Sequence, residues 1–230
     1  MRIFISGGCK NGKSTYAQRL AMAMAAAATE DAARSMAAAD VMATTRSMAA
    51  ADVMAAADVM ATTNVIAAAG SPLYYVATMR PSDGEDADRI ARHRAERDGC
   101  GFITVEQAAD ISKILDYCDA GGSFLLDSLT ALLANEMFMA GGAVNGQAAE
   151  KIADELRLIT GAVENIVIVS DYIYSDAMLY DGLTEMYRKS LASLDRCAAR
   201  LCGTVLEATF ASIVVHKGGE GFGALSQKIH

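Results

Sequence analysis

Met1-Arg2-Ile3-Phe4-Ile5-Ser6-Gly7-Gly8-Cys9-Lys10-Asn11-Gly12-Lys13-Ser14 is the stretch that decides the fold class. Arg2–Ser6 reads as a short apolar strand. Gly7-x-x-x-x-Gly12-Lys13-Ser14 has the spacing of a Walker A loop, and from Lys13 to about Ala28 the chain is Ala/Leu/Met-rich and free of helix breakers. Strand, glycine loop and helix in that order are the context the motif requires. The glycines allow a turn that points backbone N–H groups inward, and the helix N-terminus adds its partial positive charge. Lys13 would reach the β- and γ-phosphates of a nucleotide, and the Ser14 hydroxyl would bind Mg²⁺. Cys9, inside the loop, reads as a tolerated loop residue.

Outward from the loop, short apolar runs alternate with helical segments. Strands are predicted at Leu73–Thr78, Phe102–Val105, Ser123–Leu126, Ile166–Ser170, Val205–Thr209 and Ser212–His216. Helices are predicted at Asp83 to about Glu96, Ala108–Tyr117, Leu129–Met139, Gln147–Val163 and Leu183–Leu201. The pattern implies an α/β fold of the P-loop (RecA-like) kind, a mostly parallel sheet with helices on both faces. Residues 1–230 read as a single nucleotide-binding domain.

One segment, about 29–69, breaks this rhythm. Ala-Ala-Ala-Asp-Val-Met occurs at 37–42, 49–54 and 55–60, and Arg-Ser-Met-Ala-Ala-Ala-Asp-Val-Met starts at Arg34 and again at Arg46. A six-residue repeat on a helix of ~100° per residue leaves a ~240° offset, so the Val-Met pair walks around the axis and makes no single apolar stripe. The segment reads as a low-complexity insertion, helical in patches or mobile, that adds little to the core.

Bulk properties narrow the function classes. A net charge of −8 excludes a nucleic-acid binder working through a broad basic surface, but not a phosphate site built from local N–H groups and one lysine. No stretch reads as a targeting leader or a membrane span. Five cysteines without CxxC spacing argue against a disulfide framework or a structural zinc, and the expected compartment is the cytoplasm.

A metal-facing carboxylate should end a strand near the loop. Asp127, after Phe124-Leu125-Leu126, and Asp171, after Ile166-Val167-Ile168-Val169-Ser170, both qualify, and pattern does not choose between them. Ser82-Asp83-Gly84-Glu85 has the form of a capping box. The helix it opens carries Arg89, His93 and Arg97 on one face, with Arg92 and Arg94 nearby. Like charge around His93 disfavours its proton, which leaves a ring nitrogen able to attack phosphorus. From the residues alone, a solvated helix face is the more economical reading. His216 and His230 take no role.

Taken together, these pieces resemble the bifunctional adenosylcobinamide kinase / adenosylcobinamide-phosphate guanylyltransferase family of cobalamin biosynthesis. The resemblance rests on the opening loop, Tyr75-Val76-Ala77-Thr78, Arg89-Ile90-Ala91-Arg92-His93-Arg94, Thr104-Val105-Glu106, and Leu125-Leu126-Asp127-Ser128-Leu129-Thr130 with Asn135. It implies phosphorylation of the corrinoid's aminopropanol hydroxyl, then GMP transfer from GTP through a guanylyl-histidine at His93, with Lys13 as the second catalytic residue. It implies nucleotide contacts at Gly7, Gly8, Cys9, Lys10, Asn11, Gly12, Lys13 and Ser14, and at Thr78, Met79 and Arg80. Further contacts are implied at Arg94, Ala95, Glu96, Arg97, Glu106 and Asp127. It favours Ser14 and Asp127 as Mg²⁺ ligands, GTP or ATP as phosphoryl donor, and a homotrimer. Where the family commonly has Asn-Glu-x-Gly, this chain has Asp171-Tyr172-Ile173-Tyr174. A later Phe-Arg-Asp pattern reads Tyr187-Arg188-Lys189. The alternatives are another P-loop small-molecule kinase, or a non-catalytic nucleotide-binding regulator.

Overall fold

The computed structural model describes residues 1–9, 11–47, 70–81, 91–95, 97–210 and 212–228. Seven strands form one sheet: β1 (Arg2–Gly7), β2 (Leu73–Ala77), β3 (Phe102–Glu106), β4 (Ser123–Asp127), β5 (Asn165–Asp171), β6 (Thr204–Thr209) and β7 (Ser212–Lys217). Their order is β3-β2-β4-β5-β1-β6-β7. Only β7 runs antiparallel, in a hairpin with β6, and every other pairing is parallel.

Side-chain alternation sorts the core onto the two faces of the sheet. Phe4, Tyr74, Val76, Phe124, Leu126, Ile166 and Ile168 pack on one face with residues of α3 (Leu129–Met137), α4 (Ala148–Ala162) and α5 (Gly182–Leu201). Ile3, Ile5, Leu73, Tyr75, Leu125, Val167 and Val169 pack on the other, with α1 (Lys13–Ser47) and α6 (Gly219–Ser226). A short α2 (Ile114–Tyr117) follows a 3-10 turn at Ile111–Lys113.

Three elements differ from the sequence reading. The first is α1, which does not stop near Ala28 and continues to Ser47. Its alanines favour helix and no Gly or Pro intervenes before Gly70. Residues 48–69 of the repeat lie outside the described residues. Second, the helix expected over Ala108–Tyr117 forms only from Ile111. Asp110 adopts a left-handed conformation (φ 50°) and its N–H is taken by Glu136 Oε1 at 2.8 Å, while the Gln107 amide bonds the Ala109 and Asp110 carbonyls. Third, α6 was not expected, because its three glycines depress helix propensity. Burial of Phe222 and Leu225 beside α1 overrides that preference.

Candidate functional site

Parallel register brings the carboxyl ends of the strands level. Ala77 pairs with both Glu106 and Asp127, Asp127 with Val169, and Gly7 with Asp171. In an open α/β sheet this edge is where ligands bind. A cavity of about 780 Å³ lies there, within the range of small-molecule sites.

The glycine loop forms one wall. Gly12 has φ 83°, a left-handed conformation that favours glycine, and α1 starts at the next residue. A Cβ on Gly7 would collide with the Ala208 carbonyl oxygen and with Asn11 Nδ2. The Asn11 amide itself donates to that carbonyl, and its Oδ1 accepts the Lys13 N–H at 3.2 Å. One asparagine therefore ties the loop to β6 and to the first turn of α1. The Lys13 side chain is only 7% exposed; its Nζ reaches Asp171 Oδ1 at 2.5 Å and the Gly8 carbonyl at 3.2 Å.

The opposite wall comes from β2, β3, β4 and the helical residues 91–94 and 97. Arg97 is buried, with its guanidinium carbon 3.5 Å from the centre of the Tyr75 ring. The Tyr75 hydroxyl donates to Asp127 Oδ2 at 2.8 Å. Nε and Nη1 of Arg97 have no hydrogen-bond partner among the described residues. Buried guanidinium N–H groups in that state are costly unless an anion meets them. His93, one turn earlier and half-buried, lines the same cavity, as do Arg92 and Arg94. Arg94 is ion-paired with Glu106.

Cys9, Asn11, Gly12, Lys13, Ser14, Met79, His93, Arg94, Arg97, Glu106 and Asp127 thus meet in one cavity. Gly7 and Gly8 shape the loop behind it. Thr78 is fully buried and does not line it: its hydroxyl donates to the Ser128 carbonyl at 2.8 Å and accepts the Ser128 N–H at 2.7 Å, and its carbonyl takes Asn135 Nδ2 at 2.7 Å. Arg80 and Ala95 are exposed and outside the lining. Lys10, Arg89, Glu96, His230 and the capping box Ser82–Glu85 lie outside the described residues. Sequence reasoning passed over Tyr75, which reads as a core strand residue, and did not pair Asp171 with Lys13. The only available signal was the two-residue alternation that sends Tyr75 to the α1 face and Tyr74 to the other.

These features define an α/β protein of the P-loop type, with its ligand cavity at the carboxyl edge of a mostly parallel sheet. A family model described as cobinamide kinase / cobinamide phosphate guanyltransferase matches residues 58–213, well over half of the chain. The chain belongs to that family, and so to the kinase and guanylyltransferase enzymes of cobalamin biosynthesis. No curated protein sequence matches the chain. A solved structure from Pyrococcus horikoshii OT3, described as a structural study, aligns over 94% of this chain and 85% of its own at 7% identity, with a TM-score of 0.38. No helix among the described residues is long and apolar enough to cross a membrane.

Proposed function

We propose that the chain phosphorylates adenosylcobinamide and then transfers GMP from GTP to adenosylcobinamide phosphate through a guanylyl intermediate on His93. One observation carries this reading: His93, Lys13 and a buried Arg97 with two unpartnered nitrogens line a single nucleotide-sized cavity. The glycine loop would cradle the phosphates with its N–H groups while Lys13 offsets charge at the β- and γ-positions. His93 would attack the α-phosphorus; a phosphorus–nitrogen bond forms, the bond to the pyrophosphate oxygen breaks, and pyrophosphate leaves. Arg97 would hold the charge that builds on the α-phosphoryl oxygens. A phosphate oxygen of adenosylcobinamide phosphate then takes the GMP and frees the imidazole.

Ser14 and Asp127 would hold Mg²⁺. The donor set fits: a magnesium ion at a nucleotide needs only one or two protein oxygens beside phosphate and water. When bound, the ion neutralises phosphate charge. Thr78 acts at one remove in this reading, by fixing the β2–β4 junction that carries Met79 and Asp127. The cytoplasm and a homotrimer, checked by sedimentation, complete it.

The test is incubation with α-labelled GTP followed by denaturing electrophoresis. Wild-type protein should take up label that is labile to acid and comparatively stable to alkali, as expected of a phosphoramidate. His93→Ala should lose it. His216→Ala, at a residue paired with Glu207 on β6 (2.8 Å), should keep it. An unlabelled wild type, or a labelled His93→Ala, would replace the covalent route with the reading of a simple P-loop kinase or a regulator.

A further inference from the structure

Tyr75 stands on β2, between β3 and β4, two residues before the carboxyl end of the strand. It is buried and lines the cavity. Phe102, on β3, meets its ring edge-on with centroids 5.9 Å apart. The Arg97 guanidinium lies over the ring face at 3.5 Å, and the hydroxyl donates to Asp127 Oδ2 at 2.8 Å. One side chain thus touches both the helical arm that carries His93 and Arg97 and the carboxylate that ends β4. What each contact leaves open is informative. A carboxylate beside Arg97 would hold it but take up its charge and its N–H groups, as Glu106 does with Arg94. An aromatic face holds the cation through the ring quadrupole and takes up no N–H. Nε and Nη1 of Arg97 accordingly have no hydrogen-bond partner among the described residues, although the residue is buried. On Asp127 the phenol occupies one of two carboxylate oxygens, and a hydrogen bond behind a metal-binding carboxylate orients it.

We propose that Tyr75 is a positioning residue for guanylyl transfer: its ring holds Arg97 with donors open for the α-phosphoryl oxygens, and its hydroxyl orients Asp127 for Mg²⁺. The inference rests on the guanylyl-histidine reading above. Tyr75 forms no bond and moves no proton in the reaction; it acts through the two groups it holds. Donors fixed in advance act where charge develops, so their alignment governs the rate of the step on His93 more than the capture of GTP.

The test compares Tyr75→Phe and Tyr75→Leu, each alone and combined with Arg97→Ala. Label uptake from α-labelled GTP is followed in single turnover at saturating GTP, and GTP affinity is titrated across Mg²⁺ concentration. Tyr75→Leu should slow labelling by about 10²-fold. Tyr75→Phe, which keeps the ring, should recover the rate to within about tenfold of wild type. It should also raise the Mg²⁺ needed for half-maximal GTP binding by about tenfold. On the Arg97→Ala background the difference between Phe and Leu should vanish, since the ring then has no guanidinium to hold. A difference that persists there overturns the proposal, because the ring would act on packing alone. So does a Tyr75→Leu rate within about threefold of wild type, or a loss confined to GTP affinity. Unchanged Mg²⁺ dependence in Tyr75→Phe overturns the part assigned to the hydroxyl. Tyr75→Met takes the place of Tyr75→Leu if the latter does not melt cooperatively, and failure of both makes the ring structural and overturns the proposal. A wild type that takes up no label removes the guanylyl-histidine reading itself, and the proposal falls with it. That outcome is told apart because the control fails before any variant is compared.

Discussion

Asp195 illustrates how a single buried acid shapes this molecule. It lies on α5, 4% exposed, and accepts the Tyr174 hydroxyl at 2.9 Å. Burial, more than any neighbour, pushes its carboxyl up from 3.8 to about 6, and the Asp171 charge adds to the rise. The folded state therefore holds this proton where the unfolded chain has released it. Stability must fall as pH rises from about 4 to about 6, and the loss persists above that window. Asp195→Asn, which keeps an oxygen for Tyr174, should flatten that part of the stability curve and raise the Tm at pH 7–8 relative to pH 4. Thermal melts across that range measure it, and a variant with the wild-type slope would show that Asp195 does not govern it. Asp110 works in the opposite sense: Lys151 foremost, then Lys113, holds its carboxyl down to about 2, so its contribution is present above about pH 4 and lost as pH falls toward 2. Lys13, by its motif spacing, and His93, by the family resemblance alone, were singled out in the sequence, and both line the cavity. Tyr75 and Asp195 were not, because their roles depend on which strand or helix packs beside them.

At the scale of elements, α1 carries the clearest consequence. Its first turns bury Ala17, Leu20, Ala21, Met24 and Ala25, whereas residues 31–38 are all exposed. The backbone N–H of Ser71 donates to Thr29 Oγ1 at 3.1 Å, and Ser71 Oγ donates to the Gly121 carbonyl at 3.1 Å. The chain thus leaves the fold at Thr29 and re-enters it beside the same residue. Glu30 adds an ion pair with Lys228 at 3.0 Å, so the boundary lies just beyond it. Replacing 32–68 with a short Gly/Ser linker should keep a cooperative unfolding transition and GTP binding, since a shorter loop between adjacent ends costs less entropy to close. Insoluble or non-cooperative protein would make the repeat structural. The strands were read within a residue or two because a parallel sheet buried on both faces leaves short continuous apolar runs in the sequence. Helix ends were less legible. At Gln107–Asp110 the Gln107 amide and the distant Glu136 carboxylate capture the backbone groups a helix would use, and at Gly219–Ser226 packing outweighs glycine. The Thr29–Ser71 closure could not be read at all, because a repeat says nothing of where its two ends meet.

The whole molecule assembles its cavity from distant parts of the chain: Cys9 and residues 11–15 of the loop and the start of α1, the ends of β2, β3, β4 and β5, and residues 91–94 and 97. The family match starts at residue 58, and the glycine loop, outside it, is held against the matched region by β1, which pairs with β5 and β6. Net charge is −8, yet Lys13, Arg92, Arg94 and Arg97 gather at one edge against Glu106, Asp127 and Asp171, a local balance that composition does not reveal. A ligand touching both walls should bind only the folded state and hold the two regions together. At a GTP concentration of about 100 times Kd, with Mg²⁺, the gain is about 2.7 kcal/mol, or about 5–10 °C in Tm for a chain of this size. Lys13→Ala should lose most of that shift. It should also melt somewhat lower without nucleotide, because Asp171 loses the partner of a largely buried ion pair. The linker variant lacking 32–68 should keep the full shift, since none of the described residues 32–47 lines the cavity. Differential scanning calorimetry with and without Mg-GTP separates the contributions. Equal shifts in wild type and Lys13→Ala would mean that the nucleotide binds without the glycine loop, and the cavity would have to be assigned to another ligand.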